Sequence, residues 1–169
     1  MSKAALISIK PKWCEKIING EKTIEVRKTR PKMNTPFKCY IYCTLPKYPH
    51  EDFIATNYPM PQFYGGGKVI GEFTCERIAL IAYDGGELSS TTNAAFSPAT
   101  CLTQSEIIAY IGDKGRCYGW HMSNLRIYDT PRELSEFTGL RNTRFGAEPY
   151  DIKRPPQSWG YVQEEVRDE

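Results

Sequence analysis

Apolar and polar residues alternate along the chain with periods that predict short strands and helices. Residues 4–9 form a mostly apolar run, which predicts a buried first strand. Pro11 follows this run, and apolar residues at helical spacing then predict a short helix that ends before Gly20. Residues 37–44 and 68–82 are rich in aromatic and β-branched residues, and each segment predicts a further strand.

The second half of the chain predicts further strands and two more short helices. Thr103 and Glu106 have the spacing of a capping box, which begins a helix that runs to about Ile111. A strand, or two strands joined near Ser123 and Asn124, follows that helix. The remaining predictions are a short helix over 131–137, an irregular polar stretch over 138–154 and a last strand over 159–162.

Two long stretches between these elements predict loop insertions. Residues 45–67 contain several prolines and three consecutive glycines, and residues 84–100 are small and polar. Nothing between the elements divides the chain, so residues 1–169 predict a single domain. The pattern predicts an α+β fold, a small and mostly antiparallel β-barrel with two or three short flanking helices.

The strand pattern after Gly20 carries a compact group of polar side chains. On a strand that begins near Thr23, the side chains of Thr23, Glu25 and Arg27 share one face, and Lys22 lies at its entrance. One interpretation is a solvated sheet face with salt bridges of about 0–1 kcal/mol. The other is a site for a planar anionic ligand, in which Arg27 and Lys22 are the cations and Glu25 is a base or an acceptor.

Basic residues are concentrated in the first part of the chain. Residues 1–47 contain eleven Lys or Arg and three Asp or Glu, a balance of +8, whereas the remainder has a balance of −6. The proline-containing segment 28–36 predicts an exposed loop that carries Lys28, Arg30 and Lys32. This distribution favours a polyanionic partner, and an ordinary solubilising surface is the alternative.

Other classes of protein fit the composition poorly. No apolar run approaches the ~20 residues that span a membrane, and the chain begins without a signal-peptide pattern, so we expect a cytoplasmic protein. The six cysteines form no Cys-x-x-Cys motif, and only His50 and His121 could supplement them. We therefore expect reduced thiols and neither a metal ion nor another cofactor.

Several segments resemble one known family. Gly20–Arg27 resembles the G-x-K-x-x-E-x-R signature of the ASCH domain, a relative of the PUA RNA-binding fold. Segments 6–11, 118–121 and 155–159 also resemble bacterial and phage-type members of this family. The resemblance implies a PUA-like barrel, with a cleft beside the first helix that is lined by the signature residues.

The resemblance also implies which side chains meet a ligand. It places Lys22, Glu25 and Arg27 in the cleft and Lys10 and Lys28 near its rim. Basic Arg30 in the following loop is a further candidate ligand-binding residue. Three more candidates for the cleft lie on later segments, namely Glu72, His121 and Asn124.

Three functions follow as hypotheses. The first is a module that binds single-stranded RNA, a nucleotide or a nucleoside. The second is a metal-independent hydrolase of RNA or of acetylated cytidine, with Lys22 and Glu25 as acid–base groups. In amidohydrolases of this family a threonine takes the position of Glu25, so Thr23 is the nearest hydroxyl that could replace it. The third is a protein-interaction module of a phage or mobile element.

Overall fold

The structure is a computed structural model and describes residues 2–45 and 66–166. This part of the chain forms two α-helices, α1 (Pro11–Ile18) and α2 (Gln104–Ile111), and nine strands. The strands are β1 (Lys3–Ile9), β2 (Ile24–Arg27), β3 (Phe37–Cys43), β4 (Lys68–Asp84), β5 (Glu87–Ser90), β6 (Arg116–Arg132), β7 (Thr138–Thr143), β8 (Gly146–Asp151) and β9 (Trp159–Gln163).

The nine strands form one mixed sheet. Eight of them follow the order β2-β6-β4-β3-β1-β9-β7-β8, and β5 pairs with β4 beside this path. The pairing of β1 with β3 is parallel, and the other pairings are antiparallel. The predicted α+β class is therefore confirmed. Closure into a barrel is not among the pairings of the described residues, because β2 and β8 are the two ends of the path.

The central strands are apolar because both of their faces are buried. On β1, Ala5, Ile7 and Ile9 pack into one core together with residues of α1, whereas Ala4 and Leu6 pack into a second core on the other face. A strand buried on both sides appears in the sequence as a continuous apolar run and not as an alternation. This is why residues 4–9 are apolar at every position except Ser8.

Gly71 lets the long strands β4 and β6 approach each other closely. A Cβ built on Gly71 would lie 2.4 Å from the backbone oxygen of Arg126, so no larger residue fits without a shift. The β4–β6 register slips between Val69 and Gly71. The bulge or close approach predicted at this glycine is confirmed.

The predicted insertion over 84–100 is an ordered part of the fold. Gly85 and Gly86 have φ values of +57° and +88°, which allows a two-residue hairpin turn into β5. Short 3₁₀ helices follow at Asn93–Phe96 and Pro98–Thr100, and Ala94 in the first of them is fully buried. The small side chains of this segment suggested a loop, but in the structure they allow the segment to pack closely against the sheet. Of the other insertion, residues 46–65 lie outside the described part of the chain.

The segment after β6 also differs from the prediction. The expected helix over 131–137 is reduced to one 3₁₀ turn, Leu134–Glu136, because β6 continues as far as Arg132. The stretch over 138–154, predicted to be irregular, contains the hairpin of β7 and β8. Most side chains of this hairpin are at least partly exposed, so its sequence lacks the apolar alternation that identifies a strand.

The helices of the described residues are short. α1 and α2 have eight residues each, and no helix in the ranges 2–45 and 66–166 is long and apolar enough to cross a membrane.

Candidate functional site

A tight turn carries the chain from α1 to the candidate site. α1 ends at Ile18, and Gly20 has a φ of +82°, a conformation that residues with a Cβ rarely adopt. The amide of Lys22 donates to the carbonyl of Lys16 at 2.9 Å, which holds the chain back against the helix. Lys22 therefore lies beside α1, just before β2.

β2 has one apolar face and one charged face. Ile24 and Val26 are buried in an apolar cluster with residues of α2, β4 and β6. Because side chains alternate along a strand, Glu25 and Arg27 point to the opposite side. The predicted division of these four residues between two faces is confirmed.

Glu25 lies between two cations. Its Oε1 is 3.0 Å from Nη2 of Arg27 and accepts a hydrogen bond from Nε of Arg27 at 3.1 Å. Its Oε2 is 3.5 Å from Nζ of Lys22, and the side chains of Lys22 and Glu25 are only 2% and 7% exposed. The interpretation as a solvated sheet face is therefore wrong, since the charges are desolvated and depend strongly on one another.

Two neighbours hold the ammonium group of Lys22. Its Nζ donates to the carbonyl oxygen of Thr100 at 2.6 Å and lies 5.0 Å from the ring centroid of Trp13 on α1. Thr100 is the last residue of a 3₁₀ helix, and the amide of Thr23 donates to the carbonyl of Ala99 at 2.9 Å. The end of the predicted insertion thus forms a wall of the site.

Arg27 connects β2 to the opposite side of the site. Its Nη2 donates to the carbonyl of Ser8 on β1 at 2.8 Å, and its Nη1 donates to Oγ of Ser158 at 3.4 Å. These contacts fix the plane of the guanidinium beside Glu25. A guanidinium carries more N–H donors than these bonds and the bond to Glu25 use, so Arg27 can also donate to a ligand.

These side chains line a cleft of about 430 Å³. The lining contains four basic residues, two acidic residues and two aromatic rings, so the wall is basic overall. The basic residues are Lys10, Lys12, Lys22 and Arg27, the acidic residues are Glu25 and Glu106, and the rings are Trp13 and Tyr110. A volume in this range suits one small polar ligand.

One acceptor in the cleft has no hydrogen-bond donor. Oε2 of Glu25 is buried and accepts no hydrogen bond from the described residues, although the ammonium of Lys22 lies 3.5 Å away. Most buried carboxylate oxygens in proteins are hydrogen-bonded, because leaving one unbonded costs about 1–3 kcal/mol or more. The ammonium of Lys22 is the neighbour that offsets this cost.

Two further cleft residues have shifted pKa values. Burial raises the pKa of the Tyr110 hydroxyl, with partial offsets from Arg27 and from the backbone of Lys28. Hydrogen bonds from the backbone amide and hydroxyl of Thr103 lower the pKa of Glu106. At neutral pH Tyr110 therefore keeps its proton and can donate, whereas Glu106 is an anion at the edge of the cleft.

The other candidate ligand-binding residues lie on either side of this cleft. Lys10 lines it, as the resemblance implied. Lys28 and Arg30 line a neighbouring basic groove instead. Thr23, predicted on the face of Glu25 and Arg27, is exposed, precedes the first residue of β2 and is not part of the cleft lining.

Glu72, His121 and Asn124 do not line this cleft. Glu72 accepts from the hydroxyl of Tyr128 at 2.5 Å, and His121 is 3.1 Å from the hydroxyl of Thr92. Burial, followed by the charge of a nearby arginine, lowers the pKa of His121. Asn124 is exposed on β6 with a φ of +49°, and no group of three metal-ligating side chains occurs in the described ranges.

Several residues of the site were not predicted. Helical spacing of apolar residues accounts for Trp13 without giving it a place in the site, and no sequence pattern singles out Thr100 or Leu102. Sequence patterns cannot identify such partners, because a backbone carbonyl is the same in every residue. Ser158 belongs to the segment 155–159 that supported the family resemblance, so that segment was the available signal.

No family model matches the sequence, and no curated protein is significantly similar to it. Solved structures of an ASCH protein from Zymomonas mobilis do have a similar fold. A serine-to-alanine variant has a TM-score of 0.60 at 18% identity, over 95% of this chain and 88% of that chain. The form without a named substitution has a TM-score of 0.53 at 18% identity, over 95% of this chain and 87% of that chain. A tyrosine-to-phenylalanine variant has a TM-score of 0.54 at 18% identity, over 96% of this chain and 91% of that chain.

These similarities establish the fold at low sequence identity. The chain has the ASCH fold, which the motif at Gly20–Arg27 had indicated.

Proposed function

We propose that this ASCH-fold domain binds one nucleotide of a single-stranded RNA, or a free nucleotide, in the cleft around Glu25. The observation that carries the proposal is the cleft lining, in which the carboxylate of Glu25 lies among four basic residues. A base that presents an N–H group at its edge would donate to the side of this carboxylate that lines the cleft.

The cations of the cleft support an anionic ligand. Lys10 and Lys12 are exposed at its edge, where they can meet a phosphate, and Arg27 retains donor capacity beside the carboxylate. Glu25 would then select the base and the lysines would neutralise the phosphate. The cleft volume of about 430 Å³ suits one nucleotide.

A second candidate is a metal-independent hydrolase of RNA or of a modified nucleoside. The observation that favours it is the ammonium of Lys22 and the carboxylate of Glu25, 3.5 Å apart in the cleft. Such a pair has the groups needed to remove one proton and donate another during bond cleavage. Thr23, the hydroxyl that sequence reasoning offered as a nucleophile, does not line the cleft, so this candidate relies on the acid–base pair of Lys22 and Glu25.

Calorimetric titration with cytidine monophosphate tests the binding proposal. Glu25→Gln should weaken binding by about 10-fold to 100-fold, since one charge-assisted hydrogen bond contributes about 1.5–3 kcal/mol. Glu21→Gln is the matched control, because that glutamate is exposed and pairs with Lys16. Equal affinity of folded Glu25→Gln and wild type would contradict the proposal.

Incubation with labelled RNA and with acetylated cytidine, in the presence of a chelator, separates the two candidates. Product formed by wild type and lost in folded Lys22→Met would favour the hydrolase. Binding without product would favour the binding module.

A further inference from the structure

A second groove lies beside the cleft, and its charge is of one sign. It has a volume of about 730 Å³ and is lined by ten residues, of which five are Lys or Arg and none is Asp or Glu. The basic residues are Lys28, Arg30, Lys32, Lys114 and Arg116, and the remaining lining residues include Tyr118.

The fold assembles this groove from segments that are far apart in the sequence. Lys28, Arg30 and Lys32 belong to the loop after β2, whereas Lys114 ends a 3₁₀ helix and Arg116 begins β6. Antiparallel pairing of β2 with β6 brings these segments together. Convergence of separate segments on one basic surface is the arrangement expected of a polyanion site.

The five cations are exposed and are not neutralised by the protein. None of them forms an ion pair with a carboxylate in the ranges 2–45 and 66–166. Arg30 donates to the carbonyl of Pro31 at 3.4 Å, and Lys28 lies over the ring of Tyr110. Clustered like charges repel one another, and a bound polyanion would relieve that repulsion.

The groove continues from the cleft on the same face of the sheet. Arg27, which lines the cleft, lies directly opposite Tyr118, which lines the groove, and opposite residues of an antiparallel pair share a face. The ammonium of Lys28 is 5.3 Å from the ring centroid of Tyr110. Lys28 lines the groove and Tyr110 lines the cleft, so this pair stands between the two.

We propose that the groove holds the phosphates of a single-stranded RNA whose adjoining nucleotide occupies the cleft. The inference rests on the proposed function, and it makes the ligand an oligonucleotide in preference to a free nucleotide. Lysine and arginine side chains would contact the phosphates without reading sequence, while Glu25 selects the base in the cleft.

The test compares cytidine monophosphate with a six-nucleotide single-stranded cytidine RNA at several salt concentrations. In the variant Arg30→Ala/Arg116→Ala, affinity for the oligonucleotide should fall about tenfold. The slope of the logarithm of the association constant against the logarithm of the salt concentration should become shallower by roughly 1.4, since about 0.7 is lost for each phosphate contact. Affinity for the mononucleotide should not change. Arg126→Ala/Arg144→Ala removes the same charge from exposed positions outside both surfaces and should behave like wild type.

The outcomes distinguish this inference from the proposed function. If both double variants bind the oligonucleotide equally well, the groove inference is wrong, and mononucleotide binding that depends on Glu25 still supports the cleft. If only the groove variant loses the oligonucleotide while Glu25→Gln changes nothing, the groove binds phosphates, but the cleft proposal and the path from groove to cleft both fail. Double-stranded RNA bound as tightly as the single strand, through the same arginines, would contradict a single-strand path. No binding of either ligand to wild type would overturn both.

Discussion

Replacing Lys22 with methionine tests whether the charges at the site are buried as a network. Lys22→Met keeps most of the aliphatic chain and removes only the ammonium group. The change leaves the carbonyl of Thr100 without its donor at 2.6 Å and leaves Glu25 with one cationic neighbour in place of two. Both partners are buried, so water compensates poorly for the lost group.

The expected loss follows from these two contacts. A buried carbonyl without a donor costs about 1–3 kcal/mol. Removing one partner of a buried ion pair costs about 3–5 kcal/mol, and this is an upper limit here because Arg27 remains bonded to Glu25. We therefore expect the free energy of unfolding to fall by about 2–4 kcal/mol, and the melting temperature to fall by roughly 5–15 °C for a domain of this size.

Denaturant unfolding followed by circular dichroism measures this loss. Lys16→Met is the matched control, because Lys16 also pairs with a glutamate, Glu21, but the two side chains are 42% and 52% exposed. The control should unfold close to wild type, since water replaces an exposed ion pair. If Lys22→Met and Lys16→Met unfold at the same denaturant concentration, the network is not desolvated and the reasoning is wrong.

A double variant adds an independent check on the same network. Glu25→Gln alone leaves the buried Lys22 and the partly buried Arg27 as neighbouring cations, so it should also destabilise the fold. In Lys22→Met/Glu25→Gln the combined loss should be smaller than the sum of the single losses, because each charge stabilises the other. Strict additivity would mean that the two side chains do not interact.

Three further predictions concern positions outside the cleft. Gly71→Ala should lower the free energy of unfolding by about 1–3 kcal/mol or more, because the new Cβ would meet the backbone oxygen of Arg126. Gly160→Ala is the control, since its new Cβ would have its nearest contact at 3.6 Å, and it should be nearly neutral in the same unfolding assay. Cys101 is the one cysteine that is not buried, so a thiol reagent should modify one thiol quickly in the native protein. Cys101→Ser should abolish this fast reaction, and rapid modification of several thiols would contradict the burial of the others. Burial raises the pKa of Cys117 from 9.0 to about 11, so the contribution of this thiol to stability should be complete below pH 9 and should decline as the pH rises through 11. Over this pH range the melting temperature of Cys117→Ala should therefore fall less steeply than that of wild type.

The local parts of the site could be predicted from the sequence. Alternation along β2 identifies which side chains share a face, and Gly20 marks the end of the helix, because both signals depend only on neighbouring residues. The pairing of Lys22 with Glu25 also follows from their short separation in the chain.

The long-range parts could not be predicted in this way. The ammonium of Lys22 is held by a backbone carbonyl at Thr100, in a segment whose small polar residues suggested a loop. Lys114 and Arg116 join the basic groove only because β6 pairs with β2. The sequence does not predict the hairpin of β7 and β8, because its side chains are largely polar on both faces. In each case the information lies in a contact between distant segments.

The indole signal of Trp13 in a nuclear magnetic resonance titration tests the nucleotide cleft most directly. The chain has three tryptophans, and of these only Trp13 lines the cleft, whereas Trp120 is fully buried in the core. Trp13→Phe assigns the signal. Titration with cytidine monophosphate should shift the Trp13 indole signal to saturation and leave that of Trp120 nearly unchanged. A Trp13 signal that stays in place while the nucleotide saturates the protein would contradict binding in this cleft.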